Sequence, residues 1–133
     1  MVDHKAVVDT RLNTSINTLP HDHGQDMDKI LSAMPDMDAF QLVAEAFRLI
    51  SDPTRLRILW ILCHSEQCVQ NIASAVDMSP PAVSHHLKML KSAGLIVNRR
   101  EGKEIHYTLS GSVEAFVVHQ VVDQMFMIKC PTA

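Results

Sequence analysis

Aromatic side chains are scarce in this 133-residue chain: four Phe, one Trp and one Tyr make up 5% of it. Its 47% hydrophobic content, with eight Met, must therefore build an aliphatic core. A chain this short buries only part of its surface, and association with a second copy would complete such a core. Glycine is scarce too, at four residues, and no glycine-rich phosphate loop is present. Three cysteines are an odd number, which excludes a disulfide framework and fits reduced thiols in the cytoplasm. No apolar run approaches the ~18 residues that a membrane helix needs. The opening MVDHKAVVDTRLNTSINTLP has no long apolar stretch, so it does not read as a secretory signal. The expectation is one cytoplasmic domain without a membrane span.

Charge is present, but unevenly. The formal net charge is −3. Residues 1–52 hold four Lys/Arg against nine Asp/Glu, whereas residues 79–107 hold five against two. A basic segment inside an acidic chain points to a local anionic partner.

Residues 1–25 are polar and read as a flexible arm, leaving 26–133 as the folded domain. A short helix is expected near Asp26 to Met34. Asp36 can cap a further helix, in which Phe40, Val43, Phe47 and Ile50 recur at three- and four-residue spacing. DPTRLRILWILCHS starts with Asp52 as cap and Pro53 at the first helical position. Its expected buried stripe is Leu56, Leu59, Trp60 and Leu62. QCVQNIASAVDMS is a short helix with Val69, Ile72, Ala73 and Val76 inward.

SPPAVSHHLKMLKSAGLI follows, with Ser79 as N-cap, prolines where N–H groups have no intrahelical partner, and Gly94 as a left-handed stop. Val83, Leu87 and Leu90 share its inner face. LIVNRREGKEIHYTLS alternates around Gly102 and predicts a β-hairpin with a charged tip. The last helix, VEAFVVHQVVDQMFMIK, is apolar on more than one face through Val117, Val118, Val121, Val122, Met125 and Phe126. Such a helix is expected to bury itself in a dimer.

A short helix, a turn at Asp77–Ser79 and a second helix make a helix-turn-helix, and a basic hairpin after it makes a winged helix. The second helix would enter a major groove of double-stranded DNA. With Val83, Leu87 and Leu90 buried, the DNA-reading set is Ser79, Pro81, Ser84, His85 and Lys88. Ser and His can bond bases or phosphates, and Lys88 can neutralise a phosphate. Arg99, Arg100 and Lys103 on the wing would sit on the adjacent backbone. The blander alternative is a solvated charged face on a packing unit. The order of turn, helix and basic wing argues against it.

LISDPTRLRILWIL, CVQNIA, SPPAVSHHLKMLKSAGLIV and RREGKEIHYTL together resemble the ArsR/SmtB family of bacterial metal- and thiol-responsive repressors. The resemblance runs from about Ala39 to Leu109, and weakly through the last helix. It implies a mainly α, winged helix-turn-helix repressor that dimerises through its first and last helices. Inducer binding would weaken operator binding. Family members often carry Gln or Ser where Pro80 and Pro81 stand. A proline ring offers only apolar contact, such as a thymine methyl, so the operator sequence does not transfer.

The resemblance also frames the inducer. Relatives that respond to soft metals or arsenite often carry Cys-Val-Cys at the start of the first reading helix. Cys68 matches the first cysteine, but Gln70 stands at the second, so a three-thiolate site is missing. In some relatives the N-terminal arm adds ligands across the dimer. Here the arm offers His4, and HDHGQDMD offers His21, Asp22, His23, Asp26 and Asp28. Imidazole, carboxylate and thiolate suit a divalent ion of the zinc, cadmium or lead type, giving Cys68, His21, His23 and Asp26 as the expected set. The alternative is that the two histidines are solvated loop residues.

The last-helix site of zinc-responsive relatives would fall on Gly111, Val113, Gln124 and Met127, which cannot form it. His119, on the same helix, has no evident ligand partner and reads as a solvated or hydrogen-bonded histidine. Thiol-responsive relatives link two cysteines, for which Cys63 and Cys130 are the candidates, although Cys63 can equally be a small buried hydrophobe. Two further classes compete with a repressor. An enzyme lacks any supporting motif, and Ser84, His85 and His86 lie on the presumed DNA face. A non-DNA dimerisation module would not need the basic wing.

Overall fold

A computed structural model describes residues 19–127, so most of the expected arm, His4 and Cys130 lie outside the described residues. The chain divides into two compact units, residues 1–44 and 45–133. In the first, α1 (Met27–Ala33) is capped by Asp26, whose carboxylate accepts from Lys29 N at 3.2 Å. Asp36 caps α2 (Met37–Ile50) by accepting from Ala39 N at 2.9 Å. Helix α2 runs into the second unit and has no buried residue; Phe40, Val43 and Phe47 are all exposed.

The second unit continues with α3 (Pro53–His64), β1 (Gln67–Cys68), α4 (Val69–Val76), α5 (Pro80–Ser92), β2 (Ile96–Glu101), β3 (Glu104–Leu109) and α6 (Val113–Phe126). Asp52 caps α3 by accepting from Arg55 N at 2.9 Å, and Pro53 takes the first turn. The backbone N–H groups of Arg55 and Thr54 hold the Asp52 carboxyl below the usual range, helped by the Arg55 charge. The core is aliphatic: Ile58, Leu59, Leu62, Ile72, Val83, Leu87, Leu90 and Ile96 are its fully buried large side chains. Ile58 replaces Leu56 and Trp60 in the expected stripe of α3. Those two are only half-buried and, with Pro53, Arg57 and Phe126, line an open apolar groove.

Helices α4 and α5 end the same way. Asp77 adopts φ +56°, and its N–H and that of Met78 return to Ser74 O and Ala73 O. Gly94 adopts φ +79°, and its N–H and that of Leu95 return to Lys91 O and Leu90 O. This is the Schellman stop, sealed after α5 by the buried pair Leu90 and Leu95.

The wing is longer than a simple hairpin. Strand β3 pairs antiparallel with β2 on one side and with the two-residue β1 on the other, in the order β1-β3-β2. Gln67 faces Tyr107 and Cys68 faces His106. Sequence alternation did not reveal β1, because two residues carry no period. Arg99 on β2 grips Glu66 with two bonds of 2.7 and 2.8 Å and also pairs with Glu101. Glu66 is held below the usual carboxyl range, chiefly by its hydrogen bonds from Arg99.

Leu87→Ala should cost about 2–5 kcal/mol in urea unfolding. Ser84→Ala, on the outer face of the same helix, should stay within about 0.5 kcal/mol. Asp52 and Glu66 titrate lower folded than unfolded. Their contribution is therefore complete above the ordinary carboxyl range and is lost as pH falls through their lowered pKa values. Asp52→Asn and Glu66→Gln should each flatten the fall of Tm below about pH 4, and an unchanged acid limb would contradict both assignments.

Candidate nucleic-acid interface and inducer site

Helix α5 is aimed by its buried stripe. Ser79 Oγ accepts from Ala82 N at 3.3 Å, the two prolines start the helix, and Val83, Leu87 and Leu90 are fully buried. Ser79, Pro81, Ser84, His85 and Lys88 are all exposed. His86, placed with Ser84 and His85 on the DNA face by the sequence, is instead half-buried. Its Nδ1 lies 3.2 Å from Arg55 Nη1. A guanidinium only donates, so His86 Nδ1 accepts and its proton sits on Nε2. Arg55 also donates to Leu49 O and reaches Met89 Sδ at 3.4 Å. His86 thus anchors α5 to α3, while its neighbour His85 faces outward.

On the wing, Arg99 is exposed but committed: two carboxylates offset its charge. Arg100 and Lys103 are exposed and have no ion pair among the described residues. Arg100 Nη1 approaches only Gly102 O, at 3.4 Å.

The expected inducer ligands fall in both units. His21, His23 and Asp26 are exposed and belong to residues 1–44. The rings of His21 and His23 stack with centroids 5.8 Å apart, and both line a hollow with Asp22, Asp26 and Asp28. Asp26 is also the cap of α1. Cys68 belongs to the other unit. It is buried at the N-cap of α4, and its side chain makes no cap hydrogen bond. The last-helix positions Gly111, Val113, Gln124 and Met127 are all exposed. Cys63 is half-buried against the core, and its candidate partner Cys130 is outside the described residues.

His119, read from the sequence as a solvated or hydrogen-bonded histidine, is half-buried and does find a polar partner. On α6 it stands 3.1 Å from Asp123 Oδ2, and His64 Nε2 at the end of α3 stands 3.3 Å from Asp123 Oδ1, a grouping the sequence did not reveal. The two imidazoles meet edge to face, with centroids 5.2 Å apart. His64 Nδ1 lies 2.7 Å from Trp60 O, and a carbonyl only accepts, so Nδ1 carries a proton. The i, i+4 spacing of His119 and Asp123 was a readable half of the signal. His64 joins only through the packing of α3 on α6, which no local pattern encodes.

Residues 52–97 match the family described as "Bacterial regulatory protein, arsR family". The transcriptional repressor SmtB homolog of Synechocystis is 32% identical over 77% of this chain and 78% of its own. The arsenical resistance operon repressor of Escherichia coli is 36% identical over 65% of this chain and 74% of its own. Among solved structures, HlyU from Vibrio cholerae aligns with a TM-score of 0.63 at 26% identity, covering 69% of this chain and 99% of that one. The homodimeric winged helix-turn-helix domain of Mb0332 from Mycobacterium bovis aligns with a TM-score of 0.59 at 28% identity, over 80% of this chain and 91% of that one. No helix among the described residues is long and apolar enough to cross a membrane. Winged-helix architecture, outward-facing reading helix and these relationships together make the chain a member of the ArsR/SmtB family of DNA-binding transcriptional repressors, which are not enzymes.

Proposed function

We propose that this chain is a cytoplasmic, homodimeric repressor that releases its operator when a divalent metal ion binds. The carrying observation is the two-faced α5: Val83, Leu87 and Leu90 fully buried, and Ser79, Pro81, Ser84, His85 and Lys88 exposed. Those five residues read the major groove, with Pro81 offering apolar contact and Lys88 a phosphate contact. Arg100 and Lys103 bind the flanking backbone. Arg99 instead sets the wing through Glu66 and Glu101. Dimerisation is supported by the apolar residues that α2 and α6 leave exposed, among them Phe40, Phe47, Phe116, Val117 and Val121. A second copy covering them would fix the two reading helices about 34 Å apart, one turn of DNA.

Metal response is supported by the relatives' names, which include a cadmium resistance regulatory protein CadC homolog of Staphylococcus aureus, 36% identical. The ligands we assign are Cys68 of one subunit with His21, His23 and Asp26 of the other. Cys68 stands at the N-cap of α4, where its side chain makes no cap hydrogen bond. Because Cys68 begins the first reading helix, an ion held there shifts the operator-competent geometry, and DNA must weaken metal binding by the same factor.

Operator-DNA anisotropy with reduced protein under anaerobic conditions tests the scheme. Release at about one Zn²⁺ or Cd²⁺ per subunit is expected, with Cys68→Ser abolishing it. Full metal response in Cys68→Ser would sink the ligand assignment, and release only by a persulfide or disulfide donor would move it to Cys63 and Cys130. For the DNA face, Lys88→Ala, Arg100→Ala and Lys103→Ala should each reduce the slope of log K against log salt by about 1.8, one phosphate contact being lost from each subunit of the dimer. Arg99→Ala should leave that slope nearly unchanged, because its charge is already offset.

A further inference from the structure

We infer that His64, His119 and Asp123 form a binding site for a divalent transition-metal ion of the zinc or cobalt type, separate from Cys68 and the arm. His64 and Asp123 stand in electrostatic conflict. His64 Nδ1 donates to Trp60 O, so in the neutral ring Nε2 presents its lone pair to Asp123 Oδ1, 3.3 Å away. The His64 side chain is 4% exposed, and among the described residues Nε2 meets no hydrogen-bond partner. A lone pair facing a carboxylate oxygen inside the protein is costly unless a positive charge lies between them.

One ligand atom from each residue can be chosen so that all three lie within 4.8 Å of one another. Each imidazole meets its own carboxylate oxygen, His64 Nε2 at 3.3 Å from Oδ1 and His119 Nε2 at 3.1 Å from Oδ2, near the spacing of about 3.4 Å between donors around a tetrahedral ion with bonds of ~2.0–2.1 Å. A ligating histidine commonly donates its other ring N–H to a carbonyl, which fixes the tautomer and the ring, and His64 does so to Trp60. Two neutral imidazoles and one carboxylate are a nitrogen–oxygen donor set suited to zinc and its neighbours, with a fourth position left for water.

The site joins α3, which supports the reading helices, to α6, whose exposed apolar face we assign to the dimer. That regulatory consequence rests on the proposed function, whereas metal binding at the cluster does not. An ion there would lock α6 to the DNA-binding body and bias the spacing of the two reading helices.

The test uses Co²⁺ and the full chain carrying Cys68→Ser, His21→Gln and His23→Gln, so the first assigned site is disabled. Trp60 is the only tryptophan, and its ring centroid is 4.5 Å from that of His64. One Co²⁺ per chain should bind, quench Trp60 fluorescence, and give ligand-field absorption without a thiolate charge-transfer band. Adding His119→Gln or Asp123→Asn should weaken binding at least about tenfold, with far-UV circular dichroism confirming that each variant is folded. Absence of Co²⁺ binding, or affinity unchanged by both substitutions, would overturn the site in favour of a protonated ion-pair network. Should a variant not fold, Zn²⁺ must shift the imidazole nitrogen resonances of two histidines in the triple variant, and unmoved resonances refute the proposal. Loss of the Cys68 scheme in the operator assay leaves these binding readouts unaffected, so the two ideas fail separately.

Discussion

The DNA-binding unit depends on one constraint: the aliphatic stripe of α5 has a single place to go. Val83, Leu87 and Leu90 sit in one cluster with Ile58, Leu59 and Leu62 of α3 and Ile72, Ala73 and Val76 of α4. Side chains at i, i+4 and i+7 share a helix face, so burying them turns the opposite face of α5 to solvent. The short polar residues there are exposed by necessity. The same burial positions the wing, because Leu95 and Ile96 carry the stripe directly out of the helix stop into β2. A helix rotated by one residue would bring Ser84 and Lys88 into an aliphatic core with no polar partner to receive them.

Electrostatics then sort the basic residues into anchors and contacts. Arg55 spends its donors on Leu49, His86 and Met89, fastening α5 to α3. Arg99 spends its charge on Glu66 and Glu101, fastening the wing to the segment that precedes β1. Lys88, Arg100 and Lys103 are the basic residues of this face left to meet an outside anion. Composition counts all of these alike, and only partner geometry separates them.

Most of the fold was legible in the sequence, and the reasons are local. Asp26, Asp36, Asp52, Ser79 and Gly94 announce helix ends because capping uses the residue's own chemistry within a few positions. The α5 stripe was legible because three of its residues obey one period. Half of the α3 stripe was legible: Leu59 and Leu62 are buried as expected, but Ile58 is buried where Leu56 and Trp60 were expected. LRILWIL is apolar almost all round, so periodicity cannot choose between Ile58 and Leu56, and packing decides. The two-residue β1 and the tie between His86 and Arg55 were invisible because they arise only when distant segments meet. Of the proposed site residues, the exposed face of α5 follows from periodicity, whereas an inducer site assembled from several segments would have no such signature.

Helix α6 carries the remaining tension. Its inner side buries Ala115 and Val122 but also brings His119 and Asp123 against His64, while Val113, Phe116, Val117, Val121, Met125 and Phe126 face outward exposed. For an isolated chain this arrangement is inverted: ionisable groups inside, large hydrophobes outside. The outer face becomes favourable when a second copy covers it, since apolar burial contributes about 25 cal/mol per Å². The inner face becomes favourable when a positive charge, proton or metal ion, stands among the two imidazoles and the carboxylate. Both conditions act on the same helix. Whatever occupies the inner cluster therefore bears on how firmly the outer face is presented, and a change of charge inside α6 is a change at the surface we propose for the dimer.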